Sequence, residues 1–417
     1  MKLAKLSLAA IVVAGLSTSS FAADTLEGAF KEGKVTGALK AYYWDRDNAA
    51  NVVNGTVAGS ADIFNTGLML NYVTGSFHGL SLGFTGQANA APFASSKAKG
   101  ETTPVYTANF AGDEYGSGAV LSEAYVAYSM KNTTALVGRM FLETPLVASS
   151  GSRMVKEAFE GVAVINKDLP NTTLIAGYVQ KFQSRTDGNG KVGNFTKTFS
   201  AGLLALPLDD GAYTLAAINK SVPGLTLTAA YADAIDAAKI VYLEAAYEGK
   251  VSGFTYGLAA QYYNTNYDSQ YEAPNLVEDS SLFGLKATLG MGPVTGTLAY
   301  SSVGNDGVMG VTPGLGNGAD LIYTGSAINS FTYLAGTDAY KIGVDYAITS
   351  NASIGASYVG ATTEVLGLAD VKQSYVSLIG SYSFDGALKG LSLDVIYDKA
   401  GKDVDAEELR VQAAYKF

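Results

Sequence analysis

Charged side chains recur at alternate positions of this chain, within short runs that are otherwise rich in apolar residues. In the C-terminal run LRVQAAYKF, Arg410 and Lys416 fall on one face, and Leu409, Val411 and Phe417 fall on the other. Period-two alternation is the pattern of a β-strand that is wet on one side only. Such charges can attract and orient solutes along a wet surface.

The N-terminal residues 1–22 have the pattern of a secretory signal. Lys2 and Lys5 precede the apolar run 6–16, and small residues follow at the cleavage positions. Residues 23–417 are then predicted to form a single domain. The formal charge of -10 becomes -12 when the two signal lysines are removed, and this acidity predicts no nucleic-acid partner.

After the signal, no run of about 18 apolar residues is long enough for a membrane helix. A closed β-barrel is the other architecture that satisfies every backbone group in lipid. Alternating runs follow throughout the chain, and we predict 18 strands, with 197–206 competing against 211–219 for one of them. They are 34–44, 62–73, 80–89, 120–129, 133–140, 159–166, 172–182, 211–219, 224–232, 239–247, 254–263, 281–289, 293–301, 338–347, 352–360, 373–382, 391–398 and the C-terminal run.

Connection lengths also alternate along the chain. Short turns such as MKNT near residue 131 follow the even-numbered strands, and most odd-numbered strands are followed by long links. Tyrosines such as Tyr43, Tyr262 and Tyr415 lie near strand ends on the outward face, as in the aromatic girdles of membrane barrels. We therefore predict an all-β, antiparallel, up-and-down transmembrane barrel with short periplasmic turns and long extracellular loops.

The stretch from Gly138-Arg139 to Phe159-Glu160-Gly161 resembles the OprD family of outer-membrane porins. Thr144-Pro145-Leu146 and Ser152-Arg153 lie between those elements in the order typical of the family. The opening LEGAFKEGKVTGALKAYYWDRD and the AGTDAY at 335–340 are similar to the major porins of epsilon-class proteobacteria. The resemblance implies an 18-stranded diffusion channel in the outer membrane of a Gram-negative bacterium, narrowed by loops folded inward.

A polar lumen is predicted independently, because Lys or Arg facing lipid near the midplane would cost roughly 2 to 4 kcal/mol each. Since the last strand closes on the first, Lys40, Arg410 and Lys416 are expected to form one basic arc, similar to the basic ladder of family members. The predicted lumen cations are Lys40, Arg139, Lys181, Lys286, Lys341, Arg410 and Lys416, and the anions are Glu123, Glu244, Asp345, Asp394 and Asp398.

Two loops are candidates for the constriction. The loop after the third strand, 90–119, brings Asp113 and Glu114, and an acidic loop facing a basic wall would orient dipolar solutes. These acids could equally be solvated at the cell surface. Arg153, after the fifth strand, is a candidate by family position, with packing inside its own loop as the alternative.

Glu123 and Arg139 lie at similar distances from the turn near Met130, so we expect a salt bridge between them in preference to a selectivity role. The carboxylates of Asp45, Asp47 and Asp320 could hold calcium, but they lack the spaced oxygen ligands of a dedicated loop. We predict no cofactor, with calcium as the less favoured alternative.

Residues for catalysis are scarce, since the chain has no Cys and one His. His78 lies in a predicted periplasmic turn, away from lipopolysaccharide, and CxxC, HExxH and phosphate-loop patterns do not occur. We predict a porin and not an enzyme, with weak cation preference; the alternative is a closed adhesive barrel with binding loops. The expected partners are small hydrophilic solutes, outer-membrane lipid, lipopolysaccharide and the barrel-assembly machinery, with a homotrimer as an alternative to a monomer.

Overall fold

The computed structural model describes residues 23–48, 59–94, 117–186, 191–272, 277–328, 331–365 and 369–417. The predicted signal 1–22 lies outside these residues, as do Asp113 and Glu114 of the loop after the third strand.

Eighteen long antiparallel strands form the wall, which confirms the predicted fold. They are β1 (Lys34–Asn48), β2 (Gly59–Val73), β3 (Leu80–Ala94), β4 (Gly118–Met130), β5 (Thr133–Met140), β6 (Ala158–Asn166), β7 (Thr172–Gln183), β11 (Ala212–Asn219), β12 (Leu225–Ala234), β13 (Ala238–Val251), β14 (Phe254–Tyr267), β15 (Ser280–Met291), β16 (Val294–Val303), β17 (Thr337–Ala347), β18 (Ala352–Thr363), β19 (Val371–Ser383), β20 (Leu391–Lys402) and β21 (Ala406–Lys416). Between β7 and β11 lie the short strands β8 (Phe195–Thr196), β9 (Thr198–Ala201) and β10 (Leu204–Pro207).

The barrel closes where the first strand meets the last. β1 pairs with β2 on one side and with β21 on the other, with Lys40 opposite Ala414 and Trp44 opposite Arg410. Each remaining wall strand pairs with its neighbours along the chain, and β7 skips the short strands to pair with β11. Closure leaves no free edge, which a sheet in lipid requires.

Alternation along each strand separates a lipid face from a lumen face. Outward apolar side chains are exposed, for example Leu39 at 51%, Leu258 at 58% and Ile342 at 54%. The inward residues Gln87 and Ser122 are buried within the barrel. Since exposed apolar side chains suit lipid and polar ones suit a wet lumen, the period-two pattern alone explains this orientation.

The competition between 197–206 and 211–219 has a clear outcome. Residues 212–219 form the wall strand β11, as predicted, while 198–207 fold into the hairpin β9–β10, which pairs with itself. Phe199 of this hairpin is fully buried, and its ring lies 6.1 Å from Phe159 and 5.8 Å from Phe182, both on wall strands. The competing run therefore alternates because it packs against the inner wall.

The N-terminal helix α1 (Leu26–Lys31) lies beside the turn between β2 and β3. The Thr25 hydroxyl caps it by accepting a hydrogen bond from the Gly28 N–H at 2.9 Å. In the described part of the chain, no helix has the length and apolar character needed to cross a bilayer.

Candidate functional site: the pore and its inward loops

The loop 141–157, after β5, folds into the barrel and is fixed to the inner face of the wall strands β1 and β3. Lys40 of β1 donates to the Met154 carbonyl at 2.9 Å. Gln87 of β3 donates to the Lys156 carbonyl and accepts from the Lys156 N–H, both at 2.8 Å. These bonds satisfy backbone groups that the loop would otherwise bury unpaired. A predicted lumen cation, Lys40, thus serves to hold the loop.

The loop 304–336, after β16, is fixed to the other half of the wall. The Tyr323 hydroxyl donates to the Glu244 carboxylate at 2.5 Å, and the Lys286 ammonium lies 4.1 Å from the centre of the Tyr323 ring. Lys341 donates to the Gly325 carbonyl at 2.7 Å. The predicted lumen residues Glu244, Lys286 and Lys341 therefore all contact one inward loop.

The two inward loops meet each other inside the barrel. Val147 and Leu315 form a parallel β-bridge; the Leu315 N–H donates to the Leu146 carbonyl at 2.8 Å, and the Ala148 N–H donates to the Leu315 carbonyl at 3.0 Å. Gly316 adds a bond to Ser200 of the β9–β10 hairpin at 2.7 Å. Three loops thus narrow the lumen together.

Trp44 is the centre of a cationic cluster on the β1–β21 wall. The guanidinium groups of Arg46, Arg153 and Arg410 lie 4.5, 4.5 and 4.1 Å from its ring centre. The buried Glu408 carboxylate lies between two of them, 3.1 Å from Arg46 Nε and 2.5 Å from Arg410 Nε. Stacking on an aromatic face and pairing with a carboxylate both favour arginine over lysine.

A second charged group lies on adjacent strands of the wall. Glu160 of β6 accepts from Arg139 at 2.9 Å and from Lys181 at 2.8 Å. The predicted salt bridge between Glu123 and Arg139 is wrong, because Arg139 lies opposite Glu160 in the β5–β6 register. Glu123 instead accepts hydrogen bonds from the Thr85 hydroxyl and, at 3.1 Å, from the Phe141 N–H.

The three cations of the predicted basic arc lie at different levels along the pore. Arg410 lies opposite Trp44, whereas Lys416 lies opposite Ala38, six residues further toward the periplasmic end. At about 3.4 Å per residue this separates the two by roughly 20 Å. Lys40 lies between them, so the three cations line the pore in series and do not form one arc.

Arg153 lies in a loop that folds inward, as the resemblance implied, and it reaches the Trp44 ring. The other predicted constriction, with Asp113 and Glu114, lies outside the described residues. Sequence reasoning did not select Trp44, Arg46, Glu408 or Glu160. The inward parity of Trp44, Arg46 and Glu408 on the paired strands β1 and β21 was the signal that could have found them.

Within the described ranges, no group of three or more His, Asp or Glu side chains is arranged to hold a metal ion. His78 lies in the β2–β3 turn, where its ring contacts Phe77 at 4.5 Å. The charged groups inside the barrel are ion pairs and hydrogen-bonded tethers, which can orient passing solutes without reacting with them.

The family is established by a match over almost the whole chain. Residues 27–417 match the model of the OprD family, described as outer membrane porin. The chain therefore belongs to the OprD family of outer-membrane porins, which are channels and not enzymes, and its location is the outer membrane. Comparison with curated proteins found no similar sequence.

Solved structures share the fold at low sequence identity. Pseudomonas aeruginosa OpdK with vanillate has a TM-score of 0.77 at 16% identity, covering 94% of this chain and 100% of that one. Acinetobacter baumannii OccAB2 has a TM-score of 0.77 at 18% identity, covering 94% and 99%. Pseudomonas aeruginosa OpdO has a TM-score of 0.76 at 15% identity, covering 94% and 98%.

Proposed function

We propose that this porin passes small hydrophilic solutes and ions by passive diffusion, with a weak preference for cations. The observation that carries the proposal is a closed barrel whose inner surface is charged and whose inward loops are tied to that surface by hydrogen bonds. Such loops narrow a lumen to a size at which wall charges act on single solutes. The proposed channel needs no cofactor.

The proposed cation preference rests on lumen carboxylates that have no cationic partner and on the acidity of the chain. Arg46 and Arg410 share Glu408, and Arg139 and Lys181 share Glu160, so each acid cancels one of the two positive charges beside it. In the described part of the chain, neither Asp345 nor Asp394 forms an ion pair; Asp394 accepts a hydrogen bond from Ser381 at 2.6 Å. Carboxylates without a cationic partner, together with the predicted mature charge of -12, favour cations in the pore.

Current recordings from planar bilayers that contain the purified protein test both the channel and its cation preference. We expect stepwise conductance in potassium chloride, and a reversal potential on the cation side when the salt concentration differs across the membrane. Absence of stepwise conductance would refute the channel and would fit a closed surface barrel. A reversal potential on the anion side would refute only the selectivity.

The further partners that we propose are the barrel-assembly machinery, outer-membrane lipid and lipopolysaccharide. The last strand, followed by the aromatic Phe417, suits recognition by the barrel-assembly machinery, and the apolar outward face suits outer-membrane lipid and lipopolysaccharide. Light scattering of the detergent-solubilised protein decides between a monomer and a homotrimer. Deletion of Phe417 tests the assembly signal, since we expect a lower yield of folded protein in the outer membrane.

A further inference from the structure

The Glu157 carboxylate joins three separate segments inside the barrel. It lies in the inward loop 141–157, directly before β6, and its side chain is fully buried. A buried carboxylate is costly unless it is paired and hydrogen-bonded, so its partners determine what it does.

Its partners come from its own loop, from the loop 304–336 and from the segment directly after β7. One carboxylate oxygen accepts from the Ser150 N–H at 3.0 Å and from the Asn317 N–H at 2.9 Å. The other accepts from the Asn317 side-chain amide at 2.5 Å and lies 3.2 Å from Arg185 Nε. Both oxygens are thus occupied by groups that the chain itself supplies.

The backbone around Asn317 shows how closely the loops are joined. The Gly318 N–H donates to the Ala148 carbonyl at 3.1 Å. Gly316 has φ +79, and a Cβ at that position would lie 2.3 Å from the Ala148 carbonyl oxygen. The contact therefore requires glycine, because the two loop backbones approach each other closely at this point.

We propose that Glu157 is the positioning residue of the pore: it latches the loop 304–336 to the loop 141–157 and so sets the width and steadiness of the open channel. This inference rests on the proposed diffusion channel and extends it by naming the residue that fixes the constriction. Glu157 is buried away from passing solutes, so it acts through the loops and not by contact.

Removal of the carboxylate tests the latch in bilayers. With Glu157→Ala we expect conductance to rise by roughly a factor of two, with frequent substates, because the loops separate and widen the narrowest section. Glu143→Gln is the matched control, since Glu143 lies in the same loop and, among the described residues, forms its ion pair within that loop, with Lys156 at 2.8 Å. We expect wild-type currents from that variant.

An engineered disulfide distinguishes a loss of loop positioning from misfolding of the Glu157→Ala variant. The chain has no cysteine, so Val147→Cys with Leu315→Cys places a single cysteine pair at the bridge between the loops. Paired residues of adjacent strands are within the range that a disulfide spans. In the Glu157→Ala background, oxidation should restore wild-type conductance and reductant should reverse the restoration, which a misfolded barrel would not show.

The rate of disulfide formation gives a readout that does not need conduction. With Glu157 intact the cysteine pair should oxidise quickly, and with Glu157→Ala it should oxidise several-fold more slowly. Equal rates, or unchanged currents in a folded Glu157→Ala barrel, would overturn the latch. If the wild type does not conduct at all, the proposed function fails, and the oxidation rates still decide whether Glu157 joins the loops.

Discussion

At the scale of single residues, the inside of this barrel is organised around arginine. The chain has five arginines, and every one of them pairs with a buried or half-buried acid or stacks on Trp44. Arginine keeps its charge and offers a planar set of donors, so it can fix a loop or a strand while still presenting charge. The proposed selectivity and the anchoring of strands and loops therefore involve the same side chains.

The position of each cation along the pore should determine how strongly it affects ion selectivity. We predict that Arg410→Gln shifts the reversal potential toward cations, because it leaves Glu408 with Arg46 as its remaining arginine partner at the Trp44 cluster. Lys416→Gln is the matched control: it removes one positive charge from the exposed periplasmic end and should shift the potential much less. An equal shift in both variants would show that the Trp44 cluster has no special role.

Removal of the acid that Arg139 and Lys181 share should shift the reversal potential in the direction opposite to that of Arg410→Gln. Glu160→Gln leaves two cations facing the lumen without their common carboxylate, so the reversal potential should move toward anions. Glu27→Gln removes the same charge from the exposed helix α1 and should leave selectivity unchanged. The measurement is the reversal potential in a salt gradient, and no difference between the two variants would contradict the prediction.

The Tyr323 hydroxyl should tether its loop over a wide pH range. Burial, together with the nearby Glu244 carboxylate, raises the pKa of Tyr323 above its usual value. The neutral form, which donates the hydrogen bond, therefore persists as pH rises through about 10, where a free tyrosine ionises. We predict that cleavage within 304–336 by an alkaline protease is equally slow at pH 7 and at pH 10.

Removal of that hydroxyl should expose the loop. A hydrogen bond to a charged group contributes about 1.5 to 3 kcal/mol, so Tyr323→Phe should speed cleavage by roughly tenfold or more. Tyr300→Phe breaks a comparable bond, to Asp338 at 2.9 Å, on the outward face, and should leave the cleavage rate of the loop unchanged. Rapid cleavage of the wild type at pH 10 alone would show that Tyr323 ionises there.

At the scale of elements, closure of the barrel depends on the contact between the C terminus and β1. Gly37 and Phe417 exchange two backbone hydrogen bonds, at 2.8 and 3.1 Å. A Cβ on Gly37 would lie 2.6 Å from the Phe417 ring and 2.7 Å from the Met69 carbonyl oxygen. The first and last strands therefore meet correctly only when position 37 has no side chain.

This geometry gives a direct test of closure. Gly37→Val should lower the yield of folded barrel, measured as the fraction that changes its electrophoretic mobility on heating. Gly380→Val is the control, because a Cβ there meets nothing within 4 Å. Normal yield from Gly37→Val would mean that the Phe417 ring moves aside at little cost.

The wall strands could be predicted from the sequence, whereas the contacts of the inward loops could not. Apolar and polar side chains alternate within each wall strand, so a run such as 254–263 can be predicted as a strand without reference to its neighbours. The hairpin β9–β10 alternates as well, and only its packing of Phe199 against Phe159 and Phe182 places it inside the barrel. Alternation of apolar and polar residues indicates that one face of a strand is covered, but it does not indicate which part of the protein or membrane covers it.

At the scale of the whole molecule, the sequence by itself determined the barrel, its polar lumen and its family. Period-two alternation, short turns and the cost of charge in lipid are local or one-dimensional properties, and they suffice for those conclusions. The resemblance at Gly138–Gly161 agreed with them, and it placed Arg153 in a loop that folds inward.

Only the tertiary structure decided which charges meet and which loops narrow the pore. Lys40 reaches Met154 across 114 positions of the chain, and Glu157 reaches Asn317 across 160. Such pairs depend on how the closed wall brings distant loops together, and a local sequence pattern does not predict that arrangement. Arg139 therefore met Glu160 in place of Glu123, because strand register and loop path select partners that spacing along the chain cannot.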